Sequence, residues 1–395
     1  MAVYFYALVL TILIISCLSV FHRKNFWGEF LVAFIGALPL SAVAGLRSLT
    51  IGTDLLVYGD FDFRMAQRYQ DLSTYYTYIK GVNNTEYGYV ALNFVVSRFT
   101  NNLSMFLFIL ALFTLVPIFI GSMKMESVFK VPVVIQVSLY FSVFYGLSLN
   151  EMRQVLAIGW VYLSVSILFQ KGNYKWLKAI IIWAIAFSFH RTAIMGLIIF
   201  AMYYLFVTTR AKKWVIVRRS TIILVSLMAV FVGIMMLKSG NLPDTFSKYA
   251  QYIDGTNSFG SKNIGPFRIF SMSLFPIISM LVILIVREKK ELIFSESSIS
   301  IKSKNVLLFF AIILLFDIIL ILGGIRSAIL PRIGQYFEIF EILLIPFSIN
   351  ISVSKKGRWI FYVILISYYL FIFVYITRSG ENQIYPYQWI FGNNY

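Results

Sequence analysis

Arg153, His190 and Arg191 sit where the long apolar segments of this 395-residue chain hand over to one another, in N-E-M-R-Q-V-L-A-I-G-W and F-S-F-H-R-T-A-I-M-G. An ionisable side chain at membrane depth costs about 2.5–3.5 kcal/mol even on lenient insertion scales, so its presence asks for a function. Arginine offers a planar fork that grips a phosphate through two hydrogen bonds, and an imidazole exchanges a proton near neutral pH. A second group lies in G-G-I-R-S-A-I-L-P-R-I-G-Q-Y. Pro331 suits the first turn of a helix, whose N-terminus then carries partial positive charge beside Arg326 and Arg332, with Tyr336 one turn on. The chemistry these residues could do is anion binding with proton removal. Snorkelling of the arginines to lipid headgroups is the rival explanation.

The elements that must position them are membrane spans. The chain is 59% hydrophobic and 13% charged, and runs of about 20 apolar residues recur from end to end. This predicts an all-α, polytopic membrane protein, one transmembrane domain over 1–395. We place about twelve crossings at 3–21, 29–46, 103–121, 131–149, 152–169, 174–189, 192–208, 219–237, 268–286, 306–322, 334–350 and 359–376. Met1–Val20 contains no Lys or Arg and Arg23-Lys24 follows it, so it reads as a first span with its N-terminus outside rather than as a signal peptide. Twelve crossings return the C-terminus to the outside.

The net charge of +17 lies in short loops between spans, so membrane topology explains it better than nucleic-acid binding. In this topology 20 of the 34 Lys and Arg are cytoplasmic. The inner loops hold 6 Arg and 14 Lys, the outer ones 10 Arg and 4 Lys, so the outer face is enriched in the phosphate-binding cation. Two outer segments exceed what a connection needs. Residues 47–102 hold G-L-R-S-L-T-I-G-T-D-L-L-V-Y, D-F-D-F-R and a short apolar run expected to be a re-entrant or interfacial helix. Residues 238–267 form a second external loop with Tyr249, Tyr252 and Phe259. The single cysteine, Cys17, excludes an intramolecular disulfide. Glu338 and Glu341, three apart on one expected helix face, suit interhelical pairing better than catalysis.

There is no Walker A, no zinc-type His/Cys cluster and no G-x-S-x-G elbow. Gly52-Thr53-Asp54 followed by Tyr58 resembles the G-T-D-x-x-x-Y signature of the EpsG family of polysaccharide polymerases. So does Arg153-Gln154 opening a span with small residues after it, and Phe189-His190 between two later apolar segments. Arg332 with Gln335-Tyr336-Phe337 before a proline-interrupted span is similar to that family's C-terminal pattern. The resemblance covers roughly 45 to 350 as scattered motifs. Arg191 departs from it, since the family pattern usually has a small residue after the histidine. Asp60-Phe61-Asp62 also resembles the D-x-D in the first external loop of lipid-linked glycosyltransferases, where it binds a metal or acts as base.

The resemblance implies a membrane glycosyltransferase of GT-C-like architecture, related in role to the Wzy O-antigen polymerases. It would extend O-antigen, capsule or exopolysaccharide from undecaprenyl-diphosphate-linked repeat units outside the inner membrane. The implied partners are that lipid-linked oligosaccharide, the bilayer and a chain-length regulator protein. No cofactor or nucleic acid is implied, and no metal is needed because diphosphate already leaves well. His190, Asp54 and Arg153 are then the catalytic candidates. Arg47, Tyr58, Gln154, Arg191, Arg326, Arg332 and Tyr336 are the candidates for diphosphate and substrate binding. A flippase for the same lipid, or a ligase moving finished polymer, would share many of these features.

Overall fold

The computed structural model describes residues 1–21, 25–208, 219–220, 265–289, 303–325 and 329–391. Arg326, the expected span at 219–237 apart from Arg219 and Ser220, and all but the last residues of the second external loop lie outside them. The described residues are all-helical. In chain order the helices are α1 (Ala2–Phe21), α2 (Phe26–Gly45), α3 (Asp60–Arg68), α4 (Leu72–Asn83), α5 (Tyr87–Ser97), α6 (Leu103–Phe129) and α7 (Val133–Asn150). Then come α8 (Met152–Leu168), α9 (Lys175–Phe189), α10 (Arg191–Thr208), α11 (Pro266–Lys289), α12 (Ser303–Gly323), α13 (Ile329–Glu338), α14 (Glu341–Ser352) and α15 (Arg358–Arg378).

Eight of these are long and apolar enough to cross a bilayer. Three further expected spans are present in shorter form. α8 has 17 residues and α9 has 15, at 1.5 Å of rise each short of a roughly 30 Å core. The third, at 334–350, is broken into α13 and α14. The break is made by tightened turns, Phe340 N→Phe337 O and Leu343 N→Phe340 O, both 3.0 Å. Glu338 therefore ends one helix and Glu341 opens the next, rather than sharing one continuous face; both are buried. The outward surfaces are apolar as lipid requires: Tyr6, Val9, Leu10 and Leu13 of α1 and Ile360, Val363 and Ile364 of α15 are all more than half exposed.

The chain divides into two compact units. The first takes in Met1–Ile194 and Ser354–Tyr395, the second Met195–Ser295 and Ile299–Val353. In the first, small residues let helices approach closely. A Cβ on Gly159 of α8 would lie 2.9 Å from Thr114 O of α6, and one on Gly121 2.8 Å from the Tyr162 ring. Polar cross-bracing accompanies this: Gln136 Nε2 donates to Ser122 O (3.2 Å) and Val131 O (2.9 Å), and Tyr162 Oη donates to Gln136 Oε1 (3.0 Å). In the second unit, Phe316 of α12 stacks on Phe337 of α13 at 5.3 Å, and Ser348 of α14 meets Ser279 of α11 at 3.1 Å.

Contacts sort the first unit into two ends. At one end Lys124 pairs with Glu29 (2.7 Å), Gln170 donates to Lys124 O (2.9 Å) and Lys175 to Leu168 O (3.0 Å). At the other, the C-terminal tail folds back over the start of α1 and the end of α2. Tyr4 Oη donates to Ile384 O (2.7 Å), Tyr387 Oη to Val43 O (2.8 Å), and Ser48 N to Gln388 O (2.8 Å). The segment 47–102 caps this end with α3, α4 and α5, which bury Ala66, Tyr75, Ile79 and Val90 between them.

The D-F-D motif resolves here into structure. Asp60 pairs with exposed Arg64 one turn on (2.8 Å), whereas Asp62 is fully buried and accepts from Asn83 Nδ2 (2.6 Å) and Thr85 Oγ1 (3.2 Å). The two carboxylates face different surroundings and do not form a paired ligand set. Asp62→Ala should therefore lower stability by about 1–3 kcal/mol by stranding those donors, while Asp60→Ala should cost at most about 0.5 kcal/mol. Thermal melts of the detergent-solubilised variants check this. Loss of activity in Asp60→Ala with an unchanged melt would return Asp60 to the site.

Candidate active site

The G-T-D motif is built on a turn that only glycine allows. Gly52 has φ +84°, and a Cβ there would lie 2.2 Å from Leu149 O at the end of α7. Thr53 is then pinned to Asn150: its N–H donates to Asn150 Oδ1 at 2.8 Å and its hydroxyl reaches the same oxygen. Asp54 follows, and Leu55–Gly59 winds as a wide π turn that presents Tyr58 back to it, so that Tyr58 Oη donates to Asp54 Oδ2. Burial first, and then the Asp54 charge, push the Tyr58 phenol well above its usual ionisation range, so it stays a neutral donor.

Arg153 enters from the first turn of α8. Its guanidinium lies 4.1 Å over the Tyr58 ring and 5.8 Å from that of Tyr89. Stacking of this kind contributes about 0.5–2 kcal/mol and fixes the plane of the cation. Nη1 donates to Glu86 Oε2 at 2.9 Å, while Nε has no partner among the described residues.

His190 and Arg191 come from the break between α9 and α10. His190 leaves the helix in extended conformation, and Arg191–Ile194 forms a single 3-10 turn. His190 Nδ1 meets Thr192 Oγ1 at 2.6 Å. The Arg191 backbone N–H reaches Glu86 Oε1 at 3.5 Å, and its Nη2 donates to Asn84 Oδ1 at 3.1 Å. Burial would push the Glu86 carboxyl up, but Arg153 and His190 together outweigh it and hold Glu86 below the usual carboxylate range. Asp54, Tyr58, Arg153, Glu86 and Arg191 thus form one chain of contacts at one end of the first unit, with His190 preceding Arg191 in the same turn. All but Tyr58 are half-buried.

The other candidates stand apart. Gln154 is buried beside Arg153 in α8. Arg47 is 2% exposed and donates to Met152 Sδ (3.0 Å) beside a cavity of about 10 Å³ lined by Tyr145 and Ser148, room for about one water. Arg332 and Tyr336 lie on α13 in the second unit, the arginine half-buried and the tyrosine fully buried.

Residues 30–389 match the EpsG family, which covers the motifs just described and nearly the whole chain. The chain belongs to the EpsG family. Searches of curated proteins and of solved structures returned no match. Membership supports a polysaccharide-polymerase type of role in general, carried by a multi-pass membrane protein. In this EpsG chain the signature residues Gly52, Thr53, Asp54 and Tyr58 meet Arg153 in space, although about a hundred residues separate them in sequence.

Sequence reasoning missed two residues of the cluster. Glu86 bridges Arg153 and Arg191, and Asn150 holds Thr53. A signal for Glu86 existed: it is the acidic residue immediately before the apolar run of α5, in a chain with only 17 acidic residues. Asn150, a neutral amide just ahead of α8, carried none.

Proposed function

We propose that this protein is a membrane glycosyltransferase that polymerises undecaprenyl-diphosphate-linked oligosaccharide repeat units on the outer side of the bacterial inner membrane. The observation that supports this most is Arg153. It is a guanidinium whose plane and position are fixed by Tyr58 and Glu86, on the same side of the first unit as two candidate bases.

In the reaction a hydroxyl of one repeat unit attacks the anomeric carbon of the growing chain. A new C–O glycosidic bond forms as the bond to the lipid diphosphate breaks. The hydroxyl proton passes to His190, with Asp54 as the alternative acceptor, and the lipid diphosphate departs with the electron pair. Arg153 and Arg191 stabilise the charge on that leaving group, and in a partly dry site they act more strongly than in water. Asp54 and Tyr58, bonded to each other beneath Arg153, hold the sugar side of the site. Gln154 and Arg47, which stand apart from that cluster, keep their assignment to substrate binding. Arg326, Arg332 and Tyr336 keep their assignment to phosphate and sugar contacts on the chemistry of their own segment. The diphosphate leaves without metal assistance, and a chain-length regulator is the expected protein partner.

A flippase for the same lipid would want its cations along a cavity opening alternately to both sides. The cluster in the first unit lies at one end, which favours a one-sided enzyme. Deleting the protein tests the reading in cells. Surface lipid capped by single repeat units is the expected result, because flipping and ligation remain intact. Loss of every surface sugar, single units included, would point to a flippase or ligase.

A further inference from the structure

We propose that Glu86 is a positioning residue for the transfer reaction, its carboxylate locking the diphosphate-binding arginine to the turn that carries the candidate base. This rests on the polymerase reading above.

Glu86 stands at the N-cap of α5 but makes no capping bond with its side chain. Instead the two carboxylate oxygens are divided between two distant elements. Oε2 takes Arg153 Nη1 from α8 at 2.9 Å, and Oε1 faces the Arg191 N–H at 3.5 Å. The neighbouring residues tighten the same junction. Asn84, held in the left-handed region at φ 48°, accepts from Arg191 Nη2 at 3.1 Å. Gly88 packs so closely that a Cβ would lie 2.3 Å from Ser188 Oγ and 2.8 Å from the Ser188 backbone. Residues 84–88 are thereby clamped to residues 188–191, with Glu86 at the centre of the clamp.

The consequence is geometric. A free arginine has many rotamers, and holding one in place before substrate arrives removes that ordering cost from the binding step. With its face on Tyr58 and Nη1 on Glu86, Arg153 has one orientation relative to the turn that Glu86 also holds through the Arg191 N–H. Displacements near 1 Å in such a constellation cost roughly 10²-fold in rate.

Glu86→Gln keeps the shape and one acceptor but loses the charge; Glu86→Asp keeps the charge and shortens the reach. Both are to be purified and assayed with lipid-diphosphate-linked repeat unit, alongside Arg153→Ala and a thermal melt. The expected result is a Gln variant made in normal amounts with a melting temperature near wild type. Its kcat should fall roughly 10–100-fold and its KM change by less than about threefold. Glu86→Asp should regain part of that loss. A Gln variant with wild-type kcat per folded molecule overturns the proposal, whether or not it melts early. The arginine variant separates the two claims. If Arg153→Ala is inactive and Glu86→Gln is normal, only the role of Glu86 falls; if both are normal, the polymerase site itself is wrong.

Discussion

Arg153→Ala is expected to abolish polymer, by at least about 10²-fold in turnover, while the protein reaches the membrane in normal amounts. That is the scale of removing one preorganised donor from a developing anion. Arg153→Lys should recover activity only in part. Lysine keeps the charge but has neither the planar face that lies 4.1 Å over Tyr58 nor the rigid fork that sets two donors in fixed directions. Polymer length and amount, read on a gel of surface polysaccharide beside an immunoblot of the membrane fraction, check both. Full activity of the alanine variant would reduce Arg153 to a cation at the lipid headgroups.

His190→Ala should lower turnover by roughly 10²–10⁴-fold with little loss of binding to the lipid-linked donor, the range for losing a general base. The sign of the pH dependence follows from the role. Below its ionisation the imidazole is already protonated and cannot take the hydroxyl proton. As a base, it should give a wild-type rate that rises with pH. The Nδ1 contact with Thr192 Oγ1 orients the ring. If His190 only donates a hydrogen bond, His190→Gln should keep near-normal polymer length and a flat pH profile, and the base assignment passes to Asp54.

What the sequence made legible were features whose signal is local. Apolar runs marked eleven of the helical segments now described, and cations at their ends marked Arg153, His190 and Arg191, because both signals need only a short window. The G-T-D-x-x-x-Y motif was legible for the same reason: Gly52, Asp54 and Tyr58 act within one turn of each other. Glu86 was not, because its worth lies in Arg153, 67 residues away, and nothing in its own window announces that pairing. Asp62 misled in the opposite direction. A D-x-D looks like a ligand pair along the chain, yet helical geometry turns the second carboxylate toward Asn83 and Thr85 and leaves the first with Arg64. The break between Glu338 and Glu341 was hidden because no glycine or proline marks residues 339–340. In the segment 47–102 the apolar run of α5 was legible as a short helix, whereas α3 and α4, polar and only nine and twelve residues long, were not.

The most direct measurement is polymerisation by the purified protein alone, reconstituted in a bilayer with undecaprenyl-diphosphate-linked repeat units. The expected result is a ladder of products growing by one repeat unit, with one undecaprenyl diphosphate released for each new glycosidic bond, and no ladder from Arg153→Ala. Repeat units that cross the bilayer unchanged, with no diphosphate released, would contradict it.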